Sequence, residues 1–172
     1  MDYKFLHYCN RGVNRTPIVY EDDSYAYLIR LMYRFLSYYK IELVAYCLMP
    51  NHYHILLEEL EDKQGSRFIQ RVFNSYTQAV NKRYGRVGTL FQGRAKHTET
   101  MSTEDTATII GYIHHNPVAA GLVIHPSDWK YSDYNEWSEK ISSTRKVTKY
   151  REMLFGPLVD YEEFVENFKK EP

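Results

Sequence analysis

Alternation between apolar and polar positions divides the chain into short strands and amphipathic helices. Apolar residues recur at helical spacing from the Glu21–Ser24 cap to about Tyr39, and again from Ser66 to about Gly85. A third helix is predicted from Ser102 or Thr103 to about Asn116. Shorter apolar runs predict strands at Tyr3–Cys9, Glu42–Leu48, His52–Glu58 and Arg94–Thr98. This β-α-β-β-α-β order with an added helix is typical of a ferredoxin-like α+β fold, with helices on one face of an antiparallel sheet.

The pattern weakens beyond Gly121. Trp129 to Trp137 is aromatic and irregular, and Asp160 to Lys170 predicts only a short terminal helix. We therefore divide the chain into a domain over residues 1–125 and a C-terminal extension over residues 126–172, which we expect to pack on the same domain.

Composition indicates the cellular compartment of the protein but says little about its function. The 172 residues include 22 basic and 22 acidic side chains, so the net charge indicates no partner. Cys9 and Cys47 each lie in an apolar run without paired spacing, which favours buried thiols in a reducing compartment. The sequence has neither an apolar run long enough for a membrane span nor a signal-like N-terminus, so we expect a cytoplasmic protein without a membrane partner.

Charge is unevenly distributed along the chain. Residues 63–98 contain no acidic residue and eight basic ones, namely Lys63, Arg67, Arg71, Lys82, Arg83, Arg86, Arg94 and Lys96. Such a stretch in a neutral protein favours a phosphate-backbone partner, although it is also compatible with a solvated helix face balanced by acids elsewhere. Arg11 and Arg15 at the end of the first strand add two guanidinium groups suited to phosphate or guanine.

Two histidines one residue apart open the third strand. Because residues i and i+2 of a strand point to the same face, His52 and His54 should converge while Tyr53 points to the other face. Imidazole is a common metal ligand, so the pair predicts half of a divalent metal site. The alternative is two ordinary histidines on a half-exposed strand.

The third helix carries a second group of reactive side chains. Tyr112 and Asn116 are four residues apart, so they share a helix face, and His115 lies on nearly the same face. A phenol beside a divalent cation can attack a phosphodiester and form a covalent phosphotyrosine.

Three ordered motifs resemble those of a known family. They are Met49-Pro-Asn-His-Tyr-His-Ile-Leu-Leu, Gly88-Thr-Leu-Phe-Gln-Gly-Arg94 and Tyr112-Ile-His-His-Asn-Pro-Val-Ala-Ala-Gly-Leu-Val123. They are similar to the signatures of the REP-associated tyrosine transposases, relatives of the single-tyrosine HUH transposases of small insertion sequences. The resemblance extends from Tyr3 to Tyr134 and implies the same ferredoxin-like fold.

The resemblance also implies roles for individual residues. His52 and His54 would bind Mg²⁺ or Mn²⁺, and Tyr112 would join to the 5′ phosphate of cleaved single-stranded DNA beside a hairpin. Asn116 stands where relatives carry a glutamine as third ligand. DNA contacts are expected from Arg11, Arg15, Arg67, Arg71, Lys82, Arg83, Arg86, Arg94 and Lys96. Relatives act as monomers or as homodimers, and both states are compatible with the sequence.

Several assignments have alternatives. Asn116 precedes Pro117, so its amide is equally suited to capping a following helix. If Asn116 is a ligand, two imidazoles and an amide oxygen suit Mn²⁺ better than Mg²⁺. His115 is an auxiliary candidate, either as a spare ligand or as a proton donor, and His114 is equally compatible with a surface position near the helix end. For Phe91, we expect core packing in preference to base stacking.

Three other functions compete with the transposase. A non-catalytic ferredoxin-like nucleic-acid-binding protein would explain the basic stretch but not the converging histidines. A two-motif histidine phosphoesterase needs two His-x-Ser/Thr strands, and only His125-Pro-Ser127 fits. A zinc protein would need a cysteine set or a His-Glu-x-x-His motif, which the sequence lacks.

Overall fold

A four-stranded antiparallel sheet forms the centre of the molecule. The computed structural model describes residues 4–168, so the predicted strand start at Tyr3 and helix end at Lys170 lie outside the described residues. The strand order is β2-β3-β1-β4, which confirms the predicted ferredoxin-like arrangement. The strands are β1 (Lys4–Arg11), β2 (Ile41–Leu48), β3 (His52–Glu59) and β4 (Lys96–Glu99).

The register between β1 and β3 determines which side chains share a face. These antiparallel strands pair without interruption from Lys4 opposite Glu59 to Arg11 opposite His52. Directly paired residues point to the same side of a sheet. His7 and Cys9 of β1 therefore lie on the same face as His54 of β3.

One face of the sheet is covered by two helices, α1 (Asp22–Leu36) and α2 (Gln64–Tyr84). Both follow the predicted apolar spacing, although α1 ends before the predicted Tyr39. Leu28 of α1 and Phe68 and Val72 of α2 are fully buried in this layer. The amphipathic stripes read from the sequence are therefore the faces that form this core.

The opposite face is also covered, whereas the sequence predicted helices on one face only. Its helices are α3 (Thr103–Ala119), α4 (Tyr134–Trp137), α5 (Val147–Phe155) and α6 (Leu158–Glu166). Trp137, Tyr150 and Tyr161 are buried there with Val44 and Leu56 of the sheet. Short helices buried through single large aromatic residues show no extended helical period, which is why the sequence pattern appeared irregular.

Helix α3 begins as predicted and ends later. The Ser102 hydroxyl accepts a hydrogen bond from the Asp105 N–H at 3.0 Å, as an N-cap does. The helix continues past the predicted end at Asn116, through Pro117 to Ala119. Both Asn116 and Pro117 are buried, so packing outweighs the local preference against a helical residue before proline. Within residues 4–168, none of the helices combines the length and apolar character needed to cross a membrane.

Candidate active site

The two histidines of β3 converge as the sequence predicted. His52 and His54 point toward α3, and their ring centroids are 5.1 Å apart. Tyr53 points to the opposite face, where it stacks on Phe73 of α2 at a centroid distance of 3.8 Å. Phe91 is buried in the same layer, which confirms the expected core packing. The strand therefore presents two imidazoles to one side and is anchored by an aromatic stack on the other.

Helix α3 places two side chains over this pair. The Tyr112 ring lies edge-on to His54 with the centroids 5.0 Å apart. One turn later, Asn116 Oδ1 lies 3.1 Å from His52 Nε2. The helix thus brings a phenol and an amide oxygen against the two imidazoles from the other side of one cleft.

The competing cap role of Asn116 is wrong. The residue lies inside α3, and its carbonyl accepts a hydrogen bond from the Ala120 N–H at 2.9 Å. Its side chain reaches across to His52 and does not turn back to cap a following helix. Metal ligation by Asn116 stays a prediction.

A third histidine, His7 of β1, belongs to the site and was missed in the sequence. Its Nε2 lies 3.0 Å from His54 Nδ1, and the residue is only 9 % exposed. Burial lowers the pKa of His7 to about 4, so the ring is neutral at pH 7. Its signal was available, because β1 is the neighbour of β3 in the predicted fold and the residues flanking His7, Leu6 and Tyr8, belong to the opposite face.

His52 has its own second partner. Its Nδ1 lies 2.7 Å from Asn51 Oδ1, in the turn before β3. Asn51 Oδ1 and Asn116 Oδ1 can both only accept, and a neutral imidazole has one N–H. We assign that proton to Nδ1, which makes the shorter of the two contacts, so the Nε2 lone pair is directed toward Asn116. Burial lowers the pKa of His52, while the nearby Asn116 amide oxygen, which favours a protonated Nε2, acts in the opposite direction.

The donor set fits a small divalent cation. His52, His54 and Asn116 supply two imidazole nitrogens and one amide oxygen. Ligands at right angles on metal bonds of about 2.1 Å lie about 3 Å apart, which matches the 3.1 Å between His52 Nε2 and Asn116 Oδ1. Across residues 4–168, no group of three or more His, Cys, Asp or Glu side chains is arranged to hold a metal. An ion here would therefore need water or phosphate oxygens to complete its coordination.

The site opens into a cleft of about 490 Å³. Besides His52, His54 and Tyr112, its lining includes Arg11, Arg15, Gln92 and Lys96. Arg11 Nε donates to Gln92 Oε1 at 2.9 Å, which holds that guanidinium at the rim. A cleft with imidazoles and a phenol at its floor and three cationic side chains around it is suited to a phosphodiester.

A family comparison identifies the chain. The model of the family described as "Transposase IS200 like" matches residues 4–116, which include the histidine pair, Tyr112 and Asn116. The chain belongs to the IS200-like transposases.

Two individual proteins resemble this transposase. A Haemophilus influenzae protein, assigned by its name as a REP-associated tyrosine transposase, is 29 % identical over 142 residues, which cover 72 % of this chain and 80 % of that protein. A solved REP-associated tyrosine transposase bound to a REP hairpin superimposes with a TM-score of 0.70 at 20 % identity, covering 96 % of this chain and 88 % of that one. The predicted resemblance is confirmed, and the second match shows the same fold.

The transposase does not gather all its predicted DNA-binding residues at the cleft. Arg11, Arg15 and Lys96 line it. The other six lie on α2 or in the loop between α2 and β4, and they are Arg67, Arg71, Lys82, Arg83, Arg86 and Arg94. Arg71 lies over the Phe35 ring at 5.1 Å, and Arg83 pairs with Glu21 at 2.9 Å. Because α2 covers the face opposite to α3, these basic side chains and Tyr112 belong to different layers.

The histidines of α3, His114 and His115, face away from the cleft. His115 Nδ1 donates to the Val165 carbonyl at 2.9 Å, so the auxiliary candidate contacts α6. His114 is fully buried, whereas the sequence was compatible with a surface position. Its Nε2 donates to Asp133 Oδ1 at 2.9 Å and its Nδ1 accepts from the Tyr161 hydroxyl at 2.8 Å. These bonds attach the helix that carries Tyr112 to the C-terminal helices.

Proposed function

We propose that this transposase cleaves and rejoins single-stranded DNA beside a hairpin, through a covalent 5′-phosphotyrosine at Tyr112. The observation that carries the proposal is the Tyr112 ring, 5.0 Å from His54 in the cleft that His52 also lines. The family match and the hairpin-bound structural relative support a hairpin DNA substrate.

The chemistry follows from these side chains. The phenol oxygen of Tyr112 loses its proton to solvent and attacks the scissile phosphorus, forming an O–P bond. The bond to the 3′ oxygen breaks, and that oxygen takes up a proton to become a free 3′ hydroxyl. Because the phosphodiester energy is conserved in the phosphotyrosine, a 3′ hydroxyl can reverse the attack and rejoin the strand. Arg11 and Arg15 at the rim bind phosphate oxygens and orient the backbone for attack.

A divalent ion completes the proposed site. His52, His54 and Asn116 would hold it, with Mn²⁺ or Mg²⁺ as the candidates. When bound, it polarises the scissile phosphate and neutralises charge that develops during attack. The two imidazoles favour Mn²⁺, and the amide oxygen suits either ion.

We further propose that DNA crosses the edge of the sheet at β4. Lys96 of this strand lines the catalytic cleft, while the next residue, His97, lies beside Tyr8 on the α2 face with the ring centroids 5.3 Å apart. A strand of DNA passing over β4 would reach the basic residues of α2 on one side and Tyr112 on the other. This path accounts for a basic stretch that lies in a different layer from the nucleophile.

The proposed catalytic unit is one chain. Tyr112 lies beside histidines of its own chain, which supports cleavage by a monomer, while a homodimer that cleaves in trans would have to exchange α3 between subunits. His114 connects α3 to Tyr161 of α6. This contact supports a C-terminal extension over residues 126–172 that packs on the domain over residues 1–125. Cys9 and Cys47 are free thiols, which agrees with the proposed cytoplasmic location.

An adduct assay tests the proposal. The purified full chain is incubated with Mn²⁺ and an end-labelled oligonucleotide in which single strands flank a hairpin, and the products are separated under denaturing conditions. With the label at the 3′ end, the fragment downstream of the cut, joined to the protein through its 5′ phosphate, should migrate with the protein for wild type and for the control Tyr38→Phe, whose tyrosine is 72 % exposed. Tyr112→Phe should form no adduct yet still bind DNA.

The outcomes separate the functions. An adduct with Tyr112→Phe would show that the nucleophile is another residue. Wild-type protein that binds the hairpin with no cleavage in either ion would instead support the non-catalytic nucleic-acid-binding protein.

A further inference from the structure

A single hydrogen bond connects His7 of β1 with His54 of β3. His7 Nε2 and His54 Nδ1 are 3.0 Å apart, and the two residues are 9 % and 5 % exposed. A neutral imidazole has one N–H and one lone pair, so only one of these rings can donate across this contact. The location of that proton decides the chemistry of the other nitrogen of His54.

The two arrangements differ in the ability of His54 to bind an ion. If His54 donates from Nδ1 to His7, its Nε2 has a lone pair and can coordinate a cation. If His7 donates from Nε2, His54 must carry its own proton on Nε2, and that nitrogen cannot coordinate. The acceptor at His7 therefore determines whether His54 is a ligand.

We propose that His7 is a positioning residue that accepts the Nδ1–H of His54 and so directs the Nε2 lone pair of His54 to the metal ion. The proposal rests on the proposed function, because it assumes that His54 is a ligand. Ligating histidines generally hold their second nitrogen by such a hydrogen bond, and the orienting partner affects metal affinity.

The other histidine of the pair, His52, also has a hydrogen-bond acceptor at its Nδ1. His52 Nδ1 lies 2.7 Å from Asn51 Oδ1, an oxygen that can only accept. Both rings of the pair therefore have Nδ1 engaged by a residue outside the ligand set. Two matching contacts at independent positions, one from the β2–β3 turn and one from β1, indicate that the Nε2 atoms are the intended ligands.

The choice of an imidazole as acceptor has a physical reason. Carboxylates commonly orient ligating histidines, but a buried negative charge beside Tyr112 would repel the incoming DNA phosphate. His7 supplies an acceptor without charge. Its ring lies nearly parallel to His54, with an interplanar angle of 26°, and edge-on to Tyr112 at 6.4 Å. Since His7 lies in the middle of β1, paired on both sides, the acceptor is on a rigid element.

Two substitutions separate the acceptor from the packing. His7→Gln places an amide oxygen near the position of Nε2, whereas His7→Phe keeps an aromatic ring and removes the acceptor. Mn²⁺ affinity of each full-length variant is measured by electron paramagnetic resonance, which detects the free ion without requiring catalysis. We expect about 10–100-fold weaker binding for His7→Phe and binding within about threefold of wild type for His7→Gln. In a His54→Ala background, His7→Phe should cause no further loss.

A spectroscopic readout keeps the test valid if a variant folds poorly. In the metal-free wild-type protein, a long-range ¹H–¹⁵N spectrum of the imidazoles should show the proton of His54 on Nδ1. Observing it on Nε2 would overturn the proposal, as would equal losses of Mn²⁺ affinity in the Gln and Phe variants. An adduct at Tyr112 together with unchanged Mn²⁺ affinity in His7→Phe would reject the role of His7 alone. Wild-type protein that neither binds Mn²⁺ nor forms the adduct would reject the metal site and the role of His7 together.

Discussion

Asn116 Oδ1 lies 3.1 Å from His52 Nε2, across the gap between α3 and β3. This contact joins the helix that carries Tyr112 to the strand that carries the histidine pair. Because His52 donates to Asn51 from its other nitrogen, two lone pairs face each other here. A cation beside both atoms would convert that unfavourable arrangement into a favourable one.

Substitutions of Asn116 should change metal affinity according to the donor they supply. Asn116→Ala removes the oxygen and should weaken Mn²⁺ binding about tenfold or more. Asn116→Asp adds a negative charge to the same oxygen position and should strengthen it. Titration of free Mn²⁺ measures both affinities, with Asn74→Ala as the control, because Asn74 is an exposed residue of α2. Equal affinity in the Ala variant and wild type would exclude Asn116 as a ligand.

Stability of the metal-free protein should fall as the solution is acidified between about pH 6.5 and 4. Burial lowers the pKa of His7 from its ordinary 6.5 to about 4, so in this interval the unfolded chain binds a proton that the folded chain does not. The loss attributable to His7 is roughly 3 kcal/mol when complete. The lowered pKa of His52 acts in the same direction.

Urea unfolding at a series of pH values in EDTA measures this dependence. His7→Phe should make the free energy of unfolding flatter across the interval. The lowered pKa of Asp133 does not interfere, because its contribution is lost only below its ordinary value of 3.8. An identical pH dependence in wild type and His7→Phe would contradict the assignment to His7.

The arginines of the cleft should contribute to single-stranded DNA affinity through phosphate contacts. Arg11→Ala and Arg15→Ala should each weaken binding and reduce the slope of log Kd against log salt by about one. Arg30→Ala, on the exposed surface of α1, is the matched control. Fluorescence anisotropy over a salt series provides the slopes. If the arginine variants keep the wild-type slope, DNA does not follow this rim.

Asp133 should be among the most sensitive positions for stability. Its carboxylate accepts from the Tyr46 N–H and pairs with Arg145, each at 2.7 Å, and it accepts from His114. Burial alone would raise the pKa of Asp133, but Arg145 and His114 hold it below its usual value. Asp133→Ala leaves the guanidinium buried without this partner and should cost about 3–5 kcal/mol.

A smaller change in the same network provides the comparison. Tyr161→Phe removes only the hydroxyl that donates to His114 and should cost about 1 kcal/mol. Asp62→Ala at an exposed ion pair with Lys4 should leave the unfolding midpoint close to that of wild type. Chemical unfolding of the three variants measures the order, and an Asp133→Ala protein as stable as Asp62→Ala would refute it.

Local patterns were sufficient to predict which side chains share a face within β3 and within α3. The period of two along β3 predicted that His52 and His54 share a face and that Tyr53 faces away. The period of 3.6 along α3 placed Tyr112 and Asn116 one turn apart. Both predictions depend only on residues close in sequence, and the structure has these arrangements.

The remaining features depend on contacts between distant segments. His7 becomes part of the site only through its pairing with β3, 47 positions away. Asn116 stays helical before Pro117 because its surroundings are buried, which a local preference cannot anticipate. The second helical layer is formed by aromatic residues such as Trp137, whose burial shows no helical period.

Because Tyr53 stacks on Phe73, the pairing register of β3 determines both the packing of the protein and its activity. A slip of β3 by one residue would turn Tyr53 into the cleft and place both imidazoles in the apolar layer under α2. Neither layer tolerates that exchange, since one would lose its stacked ring and the other its ligands. The chain is therefore either correctly paired with both histidines in the cleft, or misfolded and inactive, without a partly active slipped form between them.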